Sequence, residues 1–294
     1  MVKVSFDFYR NSQDFEQFLS IDVEVIVNIV LDTSEMATDL IDYRFDNRTV
    51  VVTGASGGIG RQTAIRFAQS GAKVFLHANE NIKEATFLSD EICNFGGTSE
   101  VIEADFSRSD ASEHFVNTIF RKSDKIDVWV NGAGVDLMSP SITSLSFEEK
   151  MQRIFQVDVF AAIQMSRNVG HRMKEENGGT LFFFSWNGVH HGWKSETAQL
   201  YGSAKGALLG FSRSLAECLA PKVRVCCLSL GWIKTRWGKK TSGDTDDRFS
   251  NDSLQRRWGT PDDVARTVLF LSSDVSSFVD GIDLRLDGGK KGTR

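Results

Sequence analysis

The chain has 294 residues, 41% of them hydrophobic and 25% charged, and its 25 Gly and 3 Pro follow no period. It is long enough to bury an extensive core, and its composition excludes collagen-like, low-complexity and wholly disordered chains. The net charge of −5 comes without a basic stripe, so general nucleic-acid binding has little electrostatic support.

The first 46 residues carry ten acidic and three basic side chains, against 29 and 31 in the remainder, and read as a separate acidic N-terminal extension (1–46) before a main domain (47–294). Alternating Val2, Val4, Phe6 and Phe8 and a β-rich run from Val23 to Leu31 make it too apolar for a solvated tail, so a small hairpin or arm is expected. Its longest apolar stretch, Val25 to Leu31, is interrupted by Asn28 and falls far short of the roughly 20 residues that span a bilayer. The opening residues also lack a basic start followed by an apolar run, so no membrane partner is expected and the chain reads as cytoplasmic.

From Arg48 onward, short β-branched runs alternate with segments of helical period, as in successive βα units around a parallel sheet. The expected strands are Thr49–Val52, Lys73–His77, Glu100–Ala104, Val128–Val130, Thr180–Ser185, Val223–Ser229 and one near Ile282–Leu286. The expected helices are Ile59–Ser70, Ile82–Phe95, Ala111–Lys122, Phe147–Lys174, Tyr201–Ala220 and Pro261–Ser272, the last with Thr260 as N-cap and Pro261 in the first helical position. The fold class is therefore α/β, a doubly wound seven-stranded parallel sheet with helices on both faces. Apolar runs such as Leu181–Phe184 fit strands covered on both sides. The four cysteines form no C-x-x-C pair and sit among apolar neighbours, which predicts buried free thiols and no metal site.

The first strand leads into Thr53-Gly54-Ala55-Ser56-Gly57-Gly58-Ile59-Gly60 and then a helix. Gly54 permits the tight turn, Gly58 lets backbone approach a pyrophosphate, Gly60 lets helix and strand touch, and the helix N-terminus presents N–H groups to the anion. This strand–turn–helix context is a dinucleotide site. After the second strand stands His77-Ala78-Asn79, with no acid at Ala78 to hold the ribose 2′-hydroxyl, so NADP(H) is preferred and NAD(H) possible.

With Tyr201-Gly202-Ser203-Ala204-Lys205, a set of ordered motifs is complete: TGASGGIG at 53–60, Asp105 after the third strand, NGAG at 131–134, GWIKT at 231–235, RWGTPDDVA at 257–265 and DGG at 287–289. The chain from about Arg48 to Gly289 resembles the short-chain dehydrogenase/reductases, especially the 3-oxoacyl-carrier-protein-reductase-like branch, whose fold is the Rossmann sheet. The resemblance implies that Asp105 holds the adenine, that Phe106 also borders the cofactor, and that Asn131, Gly132, Ala133 and Gly134 line the adenine-side ribose. It puts Gly231, Ile233 and Thr235 beside the nicotinamide, and Ser56, Gly57, Ile59 and Asn79 along the rest of the cofactor. It also implies a homodimer or homotetramer, built through the two long helices. Tyr201 and Lys205, four apart on one helix face, would form the acid–base pair and border the cofactor, the ammonium lying close to the ribose hydroxyls and drawing the phenol's pKa toward working pH.

Two positions depart from the family. Asp158 stands where a helix asparagine is usual, and Trp186 stands where the substrate-binding serine is usual. Ser185 is the expected replacement donor, with Asn187 the alternative. Trp186, Trp193, Trp232 and Trp237 fall in the segments that would cover the substrate and suggest an aromatic, polyketide-like or acyl ketone. The expected activity is an NADP(H)-dependent ketoreductase or alcohol dehydrogenase acting on a small carbonyl or alcohol. A dinucleotide-binding sensor or scaffold with impaired catalysis is the alternative.

Overall fold

In apolar strands covered on both faces, successive side chains feed two different cores. The computed structural model describes residues 43–235 and 249–289. Seven strands run in parallel: β1 (Thr49–Val52), β2 (Lys73–Ala78), β3 (Thr98–Glu103), β4 (Val128–Asn131), β5 (Gly179–Trp186), β6 (Val223–Leu230) and β7 (Asp283–Leu286). Their order is β3-β2-β1-β4-β5-β6-β7, the doubly wound arrangement, with the reversal between β1 and β4. The helices are α1 (Gly58–Gln69), α2 (Ile82–Asn94), α3 (Ala111–Lys122), α4 (Phe147–Ile154), α5 (Ala162–Glu175), α6 (Glu196–Leu219) and α7 (Pro261–Ser272).

Val50, Val52, Phe182, Phe184 and Leu228 face one core with Phe67 of α1, Leu88 of α2 and Val268 of α7. Val51, Leu181, Phe183 and Cys227 face the other with Phe115 of α3, Val169 of α5 and Leu215 of α6. The first core takes in Phe45, which meets the Phe67 ring edge-on at 5.1 Å. A third, smaller cluster of Leu137, Ile142, Ile154, Val159, Leu200 and Ala204 fastens the start of α6 to the end of α4.

Several expectations are corrected in detail. The long helix expected over 147–174 is broken by a π-helical turn at Phe155–Ala161 between α4 and α5. Helix α6 begins five residues before Tyr201, because Ser195 caps it by accepting the Ala198 N–H at 3.0 Å. Strand β3 starts at Thr98, since its register pairs Lys73 with Thr98. At α7, Thr260 and Asp263 form a reciprocal capping box with Pro261 in the first turn. Cys226 and Cys227 are buried free thiols, whereas Cys93 and Cys218, at an outer helix end and an outer helix face, are exposed. Most of the N-terminal extension and Trp237 lie outside the described residues. Among the described residues, no helix is long and apolar enough to cross a membrane and no cluster of metal-ligating side chains occurs.

Candidate active site

The turn after β1 is fixed by backbone contact. Gly54 has φ +68°, and a Cβ there would stand 2.5 Å from the carbonyl oxygen of Gly132. Gly58 has φ +54° and lies against the Thr235 side chain. The N-cap of α1, Gly57, has no side chain to satisfy the first-turn N–H groups, which leaves them for an anion. Thr53 ties this turn to the one after β4: its hydroxyl donates to Val130 O (3.2 Å) and accepts from the N–H groups of Gly132 (3.0 Å) and Ala133 (3.1 Å).

His77, at the end of β2, is a second fastening that the sequence reading did not assign. Its Nδ1 accepts the Gly54 N–H at 3.1 Å, so the proton sits on Nε2, which donates to Ala104 O at 3.0 Å. Its ring stacks on Phe106 with centroids 4.2 Å apart. Burial pushes this imidazole down to about 4 against the smaller opposing pull of the Ala104 bond, so it is neutral at pH 7. The one available signal was a polar residue interrupting the apolar strand KVFLHA just beside the glycine turn.

Asp105 accepts from the Asn79 amide (3.1 Å) and the Ser107 N–H (3.0 Å) through one oxygen. The Ser107 hydrogen bonds hold its pKa below the usual range against burial, and the charges of Arg153 and Arg108 add to this. Arg153, also unassigned from sequence, lines the same space. The Asn131 side chain is spent internally: it accepts from Trp129 Nε1 (3.0 Å) and donates to Ser166 Oγ (2.9 Å) and Phe182 O (3.0 Å). Asn131 therefore shapes the wall rather than offering a side-chain hydrogen bond.

The π-helical turn carries Asp158 inward. Its Oδ1 accepts the Val135 N–H at 2.8 Å and its Oδ2 lies 2.9 Å from Lys205 Nζ, with both side chains almost fully buried. A widened turn at this point is consistent with the frequent occurrence of π-bulges at functional sites. Lys205 Nζ sits 5.3 Å from the centroid of the Tyr201 ring. Burial alone would lower the lysine pKa, but the Asp158 carboxylate reverses this and holds it above its ordinary value. The phenol of Tyr201 is raised: burial raises it most, Lys205 pulls it down, and Asp158 pushes it up again. The Tyr201 hydroxyl has no hydrogen-bond partner, and it is not a sealed atom, since among the described residues only Ser112 Oγ is buried without a partner.

The expected carbonyl donor is corrected. Ser185 lines the space, yet it is 2% exposed and its hydroxyl donates to the Lys205 carbonyl at 3.0 Å. Strand alternation sends it, like Leu181 and Phe183, toward the α6 side. The alternative, Asn187, donates to Asp287 Oδ2 at 3.5 Å. Trp186 meets the Tyr201 ring edge-on at 5.7 Å. Beyond it Trp193, Trp232 and Phe249 form an aromatic wall, with centroids 5.6 Å and 4.0 Å apart, backed by Trp258. Phe249 was unassigned from sequence. His190 pairs with Asp283 at 3.0 Å instead of lining this wall.

The glycine turn, His77, Asp105, Arg153, Asp158, Tyr201, Lys205 and the Trp193–Trp232–Phe249 wall border one cavity of about 1200 Å³. Every expected cofactor, catalytic and substrate residue among the described ones lines it, from the Gly54–Gly60 turn to Thr235. A volume above the roughly 300–1,000 Å³ of an ordinary small-molecule site leaves room for a dinucleotide and a second reactant.

A parallel sheet whose glycine turn, phenol and lysine share one crevice defines a dinucleotide-dependent oxidoreductase. Residues 54–291 match the family described as Enoyl-(Acyl carrier protein) reductase. The L-rhamnose 1-dehydrogenase (NAD(P)(+)) of Azotobacter vinelandii is 32% identical over 251 residues, which span 83% of this chain and 96% of that protein. A short-chain dehydrogenase from Burkholderia cenocepacia, solved in complex with NADP, superposes with a TM-score of 0.76 at 26% identity and covers 84% of this chain and 98% of its own. A 7α-hydroxysteroid dehydrogenase complexed with NADH and 7-oxo glycochenodeoxycholic acid gives 0.73 at 27% identity, over 85% of this chain and 96% of its own. The chain belongs to the short-chain dehydrogenase/reductase family, and acts as an oxidoreductase on CH–OH/C=O groups.

Proposed function

We propose that the protein is a ketoreductase or alcohol dehydrogenase that prefers NADP(H), accepts NAD(H), and acts on a ketone carried by an apolar, ring-bearing skeleton. The observation that carries this reading is the Tyr201 hydroxyl, unpartnered and open to the cavity, with the buried Lys205 ammonium one helical turn further on.

The residues present fit the cofactor: Gly54, Gly57 and Gly58 line the cavity without side chains, positive φ at Gly54 and Gly58 sets the turn, and the first-turn N–H groups of α1 have no side-chain cap. Asp105 keeps its second carboxylate oxygen for the adenine amino group, while Ala78 offers no carboxylate against a 2′-phosphate. When bound, the nicotinamide supplies or takes the hydride. In reduction, Tyr201 gives its proton to the oxygen of the developing alkoxide, and in oxidation its phenolate takes that proton back. Lys205 holds positive charge beside the phenol, and Asp158 fixes Lys205 while tempering its pull. The wall of Trp193, Trp232 and Phe249 supports an aromatic or polycyclic substrate, and the similar hydroxysteroid dehydrogenase carries a polycyclic ketone in its complex.

NADPH consumption over a panel of aromatic, steroidal and acyl ketones tests the reading. Turnover of at least one ring-bearing ketone is expected, and Tyr201→Phe should lower kcat by about 10²–10⁴-fold with cofactor affinity unchanged. Tight cofactor binding without turnover of any ketone, or a fully active Tyr201→Phe variant, would sink it.

A further inference from the structure

We propose that the indole N–H of Trp186 is the neutral donor to the substrate carbonyl oxygen, acting beside the Tyr201 hydroxyl; the assignment rests on the ketoreductase reading above. A carbonyl oxygen that becomes an alkoxide has lone pairs for two donors, and Tyr201 accounts for one. Of the two polar neighbours that could supply the other, Ser185 donates to the Lys205 carbonyl, and Asn187, whose amide lies 3.5 Å from Asp287 Oδ2, does not line the cavity.

Trp186 is only 9% exposed and lines the cavity. Indole Nε1 can only donate, and in a nearly buried Trp it ordinarily finds a partner. Here it makes no hydrogen bond, and it is not sealed away, because among the described residues the only buried side-chain polar atom without a partner is Ser112 Oγ. An N–H that is neither bonded nor enclosed is left facing the space its side chain lines. The indole is packed between two glycines: a Cβ on Gly188 would stand 2.4 Å from Cζ2 and 2.5 Å from Cε2, the carbon that bears Nε1, and one on Gly202 would be 3.6 Å from Cζ3. The indole packs edge-on against the Tyr201 ring with centroids 5.7 Å apart, so two unspent donors border the same crevice. The clamp also restrains the ring, and a donor restrained before the charge develops stabilises an oxyanion more than a freely moving one.

An indole differs from a hydroxyl in one consequence. It offers a hydrogen bond but accepts none, so it stabilises the oxyanion without passing a proton on.

The test compares Trp186→Phe, which keeps a ring and removes the N–H, with Trp186→Ser, which removes the ring and supplies a hydroxyl. The assay is steady-state reduction of a ketone that the parent protein turns over, alongside cofactor titration. The expected result is a fall in kcat of about 10²–10³-fold for Trp186→Phe, with KM and cofactor affinity within twofold, and a higher kcat for Trp186→Ser than for Trp186→Phe. A kcat for Trp186→Phe within threefold of the parent overturns the assignment. So do equal losses in both variants, or loss of cofactor binding in both, because the ring would then be only a structural prop. If the parent binds cofactor and reduces no ketone while Tyr201→Phe changes nothing, the ketoreductase reading itself falls, and this assignment with it.

Discussion

The two ends of the crevice are built in opposite ways. At the dinucleotide end, the polar side chains that shape the wall are closed into bonds with the protein: Thr53 clasps two turns, His77 bridges Gly54 to Ala104, and Asn131 is fully engaged. At the catalytic end, two X–H groups, the Tyr201 hydroxyl and the Trp186 indole, are left open. Binding a constant ligand calls for a rigid frame, whereas turning over a reactant calls for donors that are not already spent. Side chains at the second end are therefore under less constraint from the protein's own hydrogen bonds than those of the frame at the first.

The sharpest way to break this contrast is Gly54→Ala. The added methyl would stand 2.5 Å from the Gly132 carbonyl, and φ is +68°, a region that itself costs an L-residue about 1–2 kcal/mol. Cofactor affinity is expected to fall about 100-fold or more, read by titration of NADPH fluorescence. Near-parental affinity would mean that the frame yields and that its rigidity is not what selects the ligand.

His77 gives the next effect, in stability. Its folded pKa of about 4 lies below the ordinary 6.5 because the ring is buried. Between those values the unfolded chain binds a proton that the folded chain refuses, so this contribution is intact above pH 6.5 and declines as pH falls toward 4, by about 3 kcal/mol in all. Urea denaturation at a series of pH values should show that slope in the parent and a flatter one in His77→Asn, displaced downward by about 1–2 kcal/mol for weakened hydrogen bonds. Parallel slopes would remove His77 from the account of the frame.

Most of the fold could be read from the residues, because continuous apolar runs such as Leu181–Phe184 and glycine-punctuated turns are local signals. The dinucleotide end was legible for the same reason: the requirement for Gly54 is a backbone requirement, visible in one residue type. What escaped depends on encounters far apart in sequence. The π-helical turn that aims Asp158 lies within an unbroken helical period, and its effect shows only where Lys205, 47 residues on, meets it. His77 matters through Ala104, 27 residues away, and Ser185 points away from the expected oxygen because a carbonyl of α6 claims its hydroxyl. Phe249 joins the aromatic wall from beyond the GWIKT segment, where the sequence shows no periodicity to follow.

The smallest expected effect is at Asp158, and it tests whether the catalytic end tolerates changed side chains at little cost. Asparagine keeps an acceptor for the Val135 N–H but removes the negative charge beside Lys205. Asp158 is one of the groups that push the Tyr201 phenol up, so its neutralisation lets the ammonium draw that pKa lower. Reduction needs the protonated phenol, so its alkaline limb should move to lower pH in Asp158→Asn. Oxidation needs the phenolate, so its rising limb should move the same way, making alcohol oxidation at pH 7 about three- to tenfold faster. Matched pH profiles in the two directions check this. Limbs that stay fixed, or move to higher pH, would mean that the carboxylate does not reach the phenol through Lys205, and that the exchange of asparagine for aspartate alters only how the lysine is held.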